Sequence, residues 1–140
     1  MKDADYILRK AYTTALKGNV SYNGKTVPLY DRVPNNANPP WIKFGSQATI
    51  DDSQKDSYTT ERLMTLEIHT AFIQKGGKKQ ADLISNQILQ LIIDQPLDGS
   101  PDFTFHEQRL ESLDHVEDIT PDRYIYNKIL IINNFVEQNG

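Results

Sequence analysis

The chain has 140 residues, the length of one ordinary domain, and its 38% hydrophobic residues supply enough apolar surface for a core. A formal net charge of -4 argues against a dedicated nucleic-acid binder, which needs a concentrated basic face. The lack of cysteine excludes disulfides, thiolate nucleophiles and zinc-thiolate sites. No apolar run approaches the roughly 20 residues that span a bilayer. We therefore predict a single domain, made and used in a cytoplasm, that does not enter membranes.

A helix and a short hairpin are the first predicted elements. Asp3 precedes apolar residues spaced three and four apart, which is typical of a capped amphipathic helix, and Gly18 suits its left-handed C-terminal cap. Asn23 and Gly24 then separate two strand-like pieces, and both positions of such a turn favour positive φ. The hairpin is therefore expected to be short, with an exposed tip.

The next stretch contains few periodic residues. Residues 33–40 are rich in proline and asparagine and can support neither a helix nor a central strand. Residues 41–44 predict a brief strand that stops at Gly45. Residues 46–60 are polar, and connections of this length without their own structure are often functional or disordered. We expect a long polar loop or hairpin tip at 46–60.

The strongest periodicity lies in residues 62–93. Side chains from 62 to 74 alternate between apolar and polar, which predicts a long strand with one core face. After Gly76 and Gly77 the apolar residues recur three and four apart, as on one side of a helix. We expect the helix to lie on the apolar face of the strand. The two apolar sets are Met64, Leu66, Ile68, Thr70 and Phe72, and Ala81, Ile84, Ile88, Leu91 and Ile92.

The last third returns to strands. Residues 103–119 alternate weakly among charges, whereas residues 124–136 are apolar on both faces, which is typical of a strand that is central or meets a partner. The two faces are Ile125, Ile129, Ile131 and Phe135, and Tyr126, Leu130, Ile132 and Val136. The sequence thus predicts an α+β fold, an antiparallel β-sheet with two helices packed on one face, in the order α-β-β-β-β-α-β-β.

Residues 76–79, Gly-Gly-Lys-Lys between a strand and a helix, suggest a phosphate loop, because a helix N-terminus favours anions. The spacing does not fit, since the positions of the first glycine and of the Ser or Thr hold Phe72 and Lys79. We expect a tight reversal with Lys78 and Lys79 facing water. Anion binding by this loop remains an alternative.

Catalytic and metal signatures are also lacking. No Gly-x-Ser-x-Gly elbow exposes a serine nucleophile. Asp51, Asp52 and Asp56 could collect a calcium ion, but their stretch lacks the ligand pattern of an EF-hand. The histidines have no helical i, i+4 spacing for zinc: His69, His106 and His115. We predict no enzyme, no catalytic residue, no cofactor and no metal.

Several sequence segments, taken in chain order, resemble the tail-completion family of tailed bacteriophages, which includes tail terminators and tail-to-head joining proteins. The segments are the opening helix at 3–16, Val27-Pro28-Leu29-Tyr30-Asp31-Arg32-Val33-Pro34, Pro39-Pro40-Trp41-Ile42-Lys43-Phe44-Gly45, Leu66-Glu67-Ile68-His69-Thr70, Ala81-Asp82 and the closing strands at 129–135. The resemblance covers nearly the whole chain and is one of pattern and order.

The resemblance implies a structural virion protein, assembled in the host cytoplasm, that forms a hexameric ring at the head-proximal end of the tail. The ring would stop polymerisation of the tail tube and join the tail to the head. Its partners would be further copies of itself, the tail tube protein and a head connector or head-completion protein. DNA would pass through the ring without specific binding, which fits the acidic balance, and no membrane would be involved.

Three short stretches are the candidate contacts with tube or connector. They are the hairpin tip at Asn23 and Gly24, the polar loop with Asp51, Asp52, Lys55 and Asp56, and the pair Lys78 and Lys79. Alternatives remain open. They are a head-completion or connector ring next to the tail, a monomeric anion-binding domain that uses residues 76–79, and a small hydrolase with a metal in the 51–56 loop.

Overall fold

The computed structural model describes residues 2–51, 59–73 and 76–140. Its elements are α1 (Asp5–Leu16), β1 (Ser21–Tyr22), β2 (Lys25–Thr26), β3 (Leu29–Tyr30), β4 (Trp41–Asp51), β5 (Thr59–Phe72), α2 (Lys79–Ile92), β6 (Phe103–Ile119) and β7 (Tyr124–Gln138). The predicted α+β class is confirmed. Neither helix has the length and apolar character needed to cross a membrane, as far as the described residues go.

The main sheet has five strands in the order β3-β4-β5-β7-β6, and β1 and β2 form a separate two-stranded ribbon. The long strands pair antiparallel throughout, as predicted. The short β3 differs, because it pairs parallel to β4, with Leu29 opposite Ile42. The sequence did not predict β3, since only two residues after Pro28 join the sheet and two residues show no periodicity.

Both helices pack on one face of the sheet, called here the inner face. Most of the core side chains predicted on β5 and α2 meet there and are fully buried: Met64, Leu66, Ile68 and Thr70, and Ala81, Ile84, Ile88 and Ile92. The other two, Phe72 and Leu91, are only half-buried, because they lie near the ends of their elements. Burial of each large aliphatic side chain contributes about 1.5–3 kcal/mol, so this layer is the main source of stability. The opposite face of the sheet, called the outer face, carries neither helix.

The sequence-based prediction that residues 46–51 belong to a loop was wrong. β4 does not stop at Gly45 but continues to Asp51, with a bulge between Phe44 and Gln47. A Cβ at Gly45 would lie 3.0 Å from Thr65 Cγ2, so glycine here serves the close approach of β5 rather than a chain break. The predicted loop at 46–60 is therefore too long, because residues 46–51 belong to β4 and residues 59–60 to β5.

The C-terminal end of α1 is as predicted, whereas the N-cap lies one residue later than predicted. Ala4, not Asp3, occupies the N-cap position, and its side chain makes no cap. Asp3 still accepts a hydrogen bond from the Asp5 backbone N–H, 2.9 Å from Oδ1, so it satisfies one of the free donors of the first turn. Gly18 has φ of 78°, the left-handed conformation predicted after the helix.

A buried hydrogen-bond chain joins α1 to β7 and β5. The Tyr12 hydroxyl donates to Asn134 Oδ1 at 2.6 Å, and the Asn134 amide donates to the carbonyl oxygens of Arg62 and Ile132 at 2.8 and 3.1 Å. Burial raises the pKa of Tyr12. Tyr12 therefore stays a neutral donor that fixes the height of α1 over the sheet.

Tyr12→Phe is expected to lower the free energy of unfolding by about 1–3 kcal/mol, because it leaves the buried Asn134 Oδ1 without a donor. Urea denaturation followed by circular dichroism measures the loss. Tyr6→Phe is the matched control, since Tyr6 lies on the exposed side of the same helix and should show no change. Equal stability of both variants would contradict the role given to the Tyr12 hydroxyl.

Candidate partner-contact surfaces

The hairpin tip has the predicted turn. Asn23 and Gly24 both have positive φ, 51° and 76°, and both are exposed between β1 and β2. This geometry explains why the Asn-Gly pair stands here, since few other residues adopt two consecutive left-handed conformations. The backbone of the tip is thus free to meet another protein, and its role as a contact remains a prediction.

The acidic loop can be placed only at its first residue. Asp51 is the last residue of β4. Asp52, Lys55 and Asp56 lie outside the described residues, so their candidate contacts remain a prediction and the alternative of a metal at 51–56 remains untested. Within the described ranges, no group of three or more His, Cys, Asp and Glu side chains converges on a point that could hold a metal.

Lys78 directly precedes α2, and Lys79 is its first residue. Lys78 Nζ lies 3.1 Å from Glu117 Oε1 of β6 and 5.9 Å from the centre of the Tyr126 ring. The Glu117 carboxylate raises the pKa of Lys78, so this lysine remains charged. Lys79 is exposed. Both side chains are thus exposed, as predicted, but the sequence did not show the ion pair of Lys78, because β6, distant in sequence, brings the Glu117 carboxylate to the N-terminus of α2.

The Phe72 ring packs so closely against Gly76 that this position has no room for a side chain. A Cβ at Gly76 would lie 2.1 Å from a ring carbon of Phe72, which a real side chain could not do. An anion at the N-terminus of α2 would also meet the negative charge of Glu117. Both observations count against the alternative of an anion-binding loop at residues 76–79.

Apolar side chains cover much of the outer face, although no helix packs on it. Trp41 stacks on His69 at the β4–β5 pair, with ring centres 4.3 Å apart. Burial lowers the pKa of His69, and the Asn127 side chain opposes the shift. The remaining apolar side chains of this face are half-buried by one another: Leu63, Ile125, Ile129, Ile131 and Phe135. β7 is thus apolar on both faces, as predicted, but helices cover one face only.

A polar network closes one end of the outer face. The Asn133 amide donates to Glu61 Oε1 at 2.9 Å and to Glu111 Oε1 at 3.0 Å. Arg109 lies 3.0 Å from Glu107 and stacks 5.0 Å above the Phe135 ring. These side chains link β5, β6 and β7 on the outer face, and they hold the start of the β6 edge in place.

The β6 strand forms one open edge of the main sheet. It runs for 17 residues and pairs only with β7, so its second row of N–H and C=O groups has no strand partner in the part of the chain described. Exposed apolar side chains follow this edge: Leu110, Leu113, Val116 and Ile119, the last 67% exposed. An edge of this length with exposed apolar residues is able to pair with a further strand.

Residues 44–50 of β4 form the opposite open edge. β3 pairs only with Ile42 and Lys43, and no described strand flanks β4 beyond them. Residues 44–50 carry no charge, although Ile50 is 49% exposed. The sequence did not show either edge as open, because this depends on the strand order and not on local periodicity.

Helix α1 lies beside the β4 edge. The Arg9 guanidinium donates to Gln47 Oε1 at 2.7 Å, which ties the helix to the bulged part of β4. A groove of about 360 Å³ separates them, and Tyr6, Lys10 and Phe44 contribute to its walls. Tyr6 is 65% exposed, so an aromatic ring stands beside this edge, and the charged residues that line the groove are Arg9, Lys10 and Asp31.

Comparison with known proteins gives one family and one fold. The family model described as Tail completion protein gp17 matches residues 10–123. The chain is also similar to a solved chain described as "Virion of native gene transfer agent (GTA) particle", with a TM-score of 0.66 and 12% identity, over 94% of this chain and 90% of that chain. At this identity the structural likeness shows the fold alone. No curated protein matched.

Proposed function

We propose, since the chain belongs to the family of tail completion protein gp17, that this structural phage tail protein forms a ring at the head-proximal end of the tail. The ring would end the tail tube and join it to the head connector in the virion, after assembly in the host cytoplasm. The observation that carries the proposal is a sheet with two open edges, β6 and residues 44–50 of β4.

Open edges favour self-association for a physical reason. A long strand edge with exposed apolar side chains invites addition of a strand from another chain, and proteins that remain monomeric usually block such edges. Two different edges on one sheet permit head-to-tail contacts, which close into a ring when the rotation between neighbours allows it. The hexamer of the proposal comes from the family resemblance.

The contacts with tube and connector are proposed to involve the hairpin tip and the acidic loop. Asn23 and Gly24 are exposed at the tip of the β1–β2 ribbon, which is separate from the main sheet. Asp51 ends β4, and Asp52, Lys55 and Asp56 follow it in the sequence before β5. No enzymatic activity is proposed, in keeping with a structural family.

We expect the purified protein to form a closed ring as its concentration rises. Light scattering coupled to size-exclusion chromatography measures the mass, and negative-stain imaging of the large species shows whether it is annular. The series is repeated with the tail tube protein present, because a partner can nucleate the ring. A chain that stays monomeric in both series would contradict the proposal.

A ring of the adjacent head-completion type would give the same mass. The protein that the ring binds therefore distinguishes a tail terminator from a head-completion ring. Binding of the purified ring to polymerised tail tubes, seen as caps at tube ends, supports termination. Binding to the head connector alone, with bare tube ends, would instead identify a head-completion ring.

A further inference from the structure

We infer that Asn23 is a site of spontaneous chemical modification, at which the side-chain amide of the folded protein is converted to a carboxyl group with loss of ammonia. The chain contains two Asn-Gly pairs, Asn23-Gly24 and Asn139-Gly140. The structure separates them, because it leaves the first side chain without a partner and holds the second by hydrogen bonds. The inference concerns the chain itself and does not depend on the proposed ring.

The reaction needs only the Asn-Gly pair and water. A water molecule takes the proton of the Gly24 backbone N–H, and the nitrogen attacks Asn23 Cγ. The bond between this nitrogen and Cγ forms, the bond between Cγ and Nδ2 breaks, and Nδ2 takes up the proton and leaves as ammonia. A second water molecule then opens the five-membered imide at either carbonyl group, which yields aspartate or isoaspartate. Either product adds a negative charge at the tip of the ribbon, and isoaspartate also lengthens the backbone.

Both reacting groups at the ribbon tip are accessible. Asn23 and Gly24 are exposed, and within the described ranges neither the Asn23 amide nor the Gly24 N–H has a hydrogen-bond partner. A Cβ built at Gly24 would meet no atom within 4 Å, so the space around the nitrogen is open. Glycine also has no side chain of its own to hinder the attack.

The ribbon opposes ring closure only weakly. Closure requires rotation about the Cα–C bond of Asn23, which takes the tip out of its tight turn. β1 and β2 are two residues long each, and a two-stranded ribbon of this size has little stability of its own. The base of the ribbon is anchored instead, because the Val27 N–H donates to the Val20 carbonyl at 2.8 Å and both valines are buried. The tip can therefore open while the base stays packed.

Asn139 has the same neighbour in sequence but a fixed side chain. Its Oδ1 accepts a hydrogen bond from Thr104 Oγ1 at 2.8 Å, and its Nδ2 donates to the Pro101 carbonyl at 2.9 Å. Its backbone N–H donates to the Asp102 carbonyl at 2.8 Å. The side-chain bonds have to break before Cγ can turn towards the Gly140 nitrogen. Their loss corresponds to a reaction about tenfold slower or more.

Peptide mapping during storage in mildly alkaline buffer tests the inference. Trypsin releases residues 18–25, which contain Asn23, and residues 129–140, which contain Asn139, so mass spectrometry follows the two sites separately. A sample digested at time zero corrects for reaction during digestion. Each rate in the folded protein is divided by the rate of the same site in concentrated urea, which removes the effect of the local sequence. We expect a ratio near one for Asn23 and a ratio about tenfold lower or more for Asn139.

Thr104→Val is the matched variant, because it removes the donor to Asn139 Oδ1 and nearly preserves the size of an exposed side chain. The ratio for Asn139 should rise severalfold in this variant, while the ratio for Asn23 stays unchanged. Equal ratios at the two sites of the wild type, or a ratio far below one for Asn23, would overturn the inference. No rise at Asn139 in Thr104→Val would overturn the protection assigned to its hydrogen bonds.

Discussion

Ile132→Asp is expected to unfold the protein. Ile132 is fully buried on the inner face of β7, opposite Met64 of β5 and Leu110 of β6. The substitution removes an aliphatic side chain from a close-packed site, at about 2–5 kcal/mol, and adds the cost of burying a carboxyl group. Since domains of this kind are stable by about 5–15 kcal/mol, little or no folded protein should remain.

The matched control is Ile131→Asp, one residue away on the outer face. Ile131 is only half-buried, and no helix packs on it. The carboxylate of the substituted aspartate can therefore reach water, and the variant should stay folded. Far-UV circular dichroism during heating compares the two. A soluble, fully assembled Ile132→Asp protein would contradict the central position of β7.

The different surroundings of Ile132 and Ile131 also show how much of the fold can be predicted from the sequence. The alternation of side chains along the strands predicted β5 and both faces of β7, and the spacing of apolar residues predicted α2. These predictions succeeded because each element is long and buries at least one side. Sequence could not show that only one face of β7 is covered by helices. That depends on both helices packing on the same side of the sheet, which no local pattern records.

β4 shows the opposite case. Its residues beyond Gly45 are polar because they lie at an edge, where side chains on both faces reach solvent, so they resemble a loop. The hairpin at Asn23 was predictable, since turn chemistry is local. The open edges were not, because β7 inserts between β5 and β6 and leaves β6 outermost. The candidate contact residues, chosen at the hairpin tip and among the charged residues, therefore do not include the exposed edge residues Leu113 and Ile50.

Removal of both carboxylates around Arg62 is expected to cost more stability than replacement of the arginine itself. Arg62 is almost fully buried on the inner face of β5, and its Nη1 lies 3.0 Å from Asp3 Oδ1 and 3.1 Å from Asp5 Oδ1. Its Nε donates to Thr60 Oγ1 at 3.1 Å. The double variant Asp3→Ala, Asp5→Ala leaves a buried guanidinium without a counter-charge, a loss of about 3 kcal/mol or more.

Arg62→Met is the comparison. An unbranched apolar side chain of similar length fills the same space and needs no partner, so the expected loss is below about 1.5 kcal/mol. Urea denaturation of the three proteins gives the free energies. Equal losses, or a larger loss for Arg62→Met, would show that the ion pairs stabilise the fold by attraction rather than by neutralising a buried charge.

The pH dependence provides an independent measurement on the same site. A hydrogen bond from the Asp5 backbone N–H, and then Arg62, lower the pKa of Asp3 below its ordinary value of 3.8. A lowered carboxyl pKa contributes stability that is present above the ordinary value and is lost as pH falls through the folded-state value. Wild type should therefore lose stability on acidification below about pH 4. The double alanine variant, which lacks both carboxylates, should lose less over the same interval, and parallel curves would contradict the contribution of Asp3.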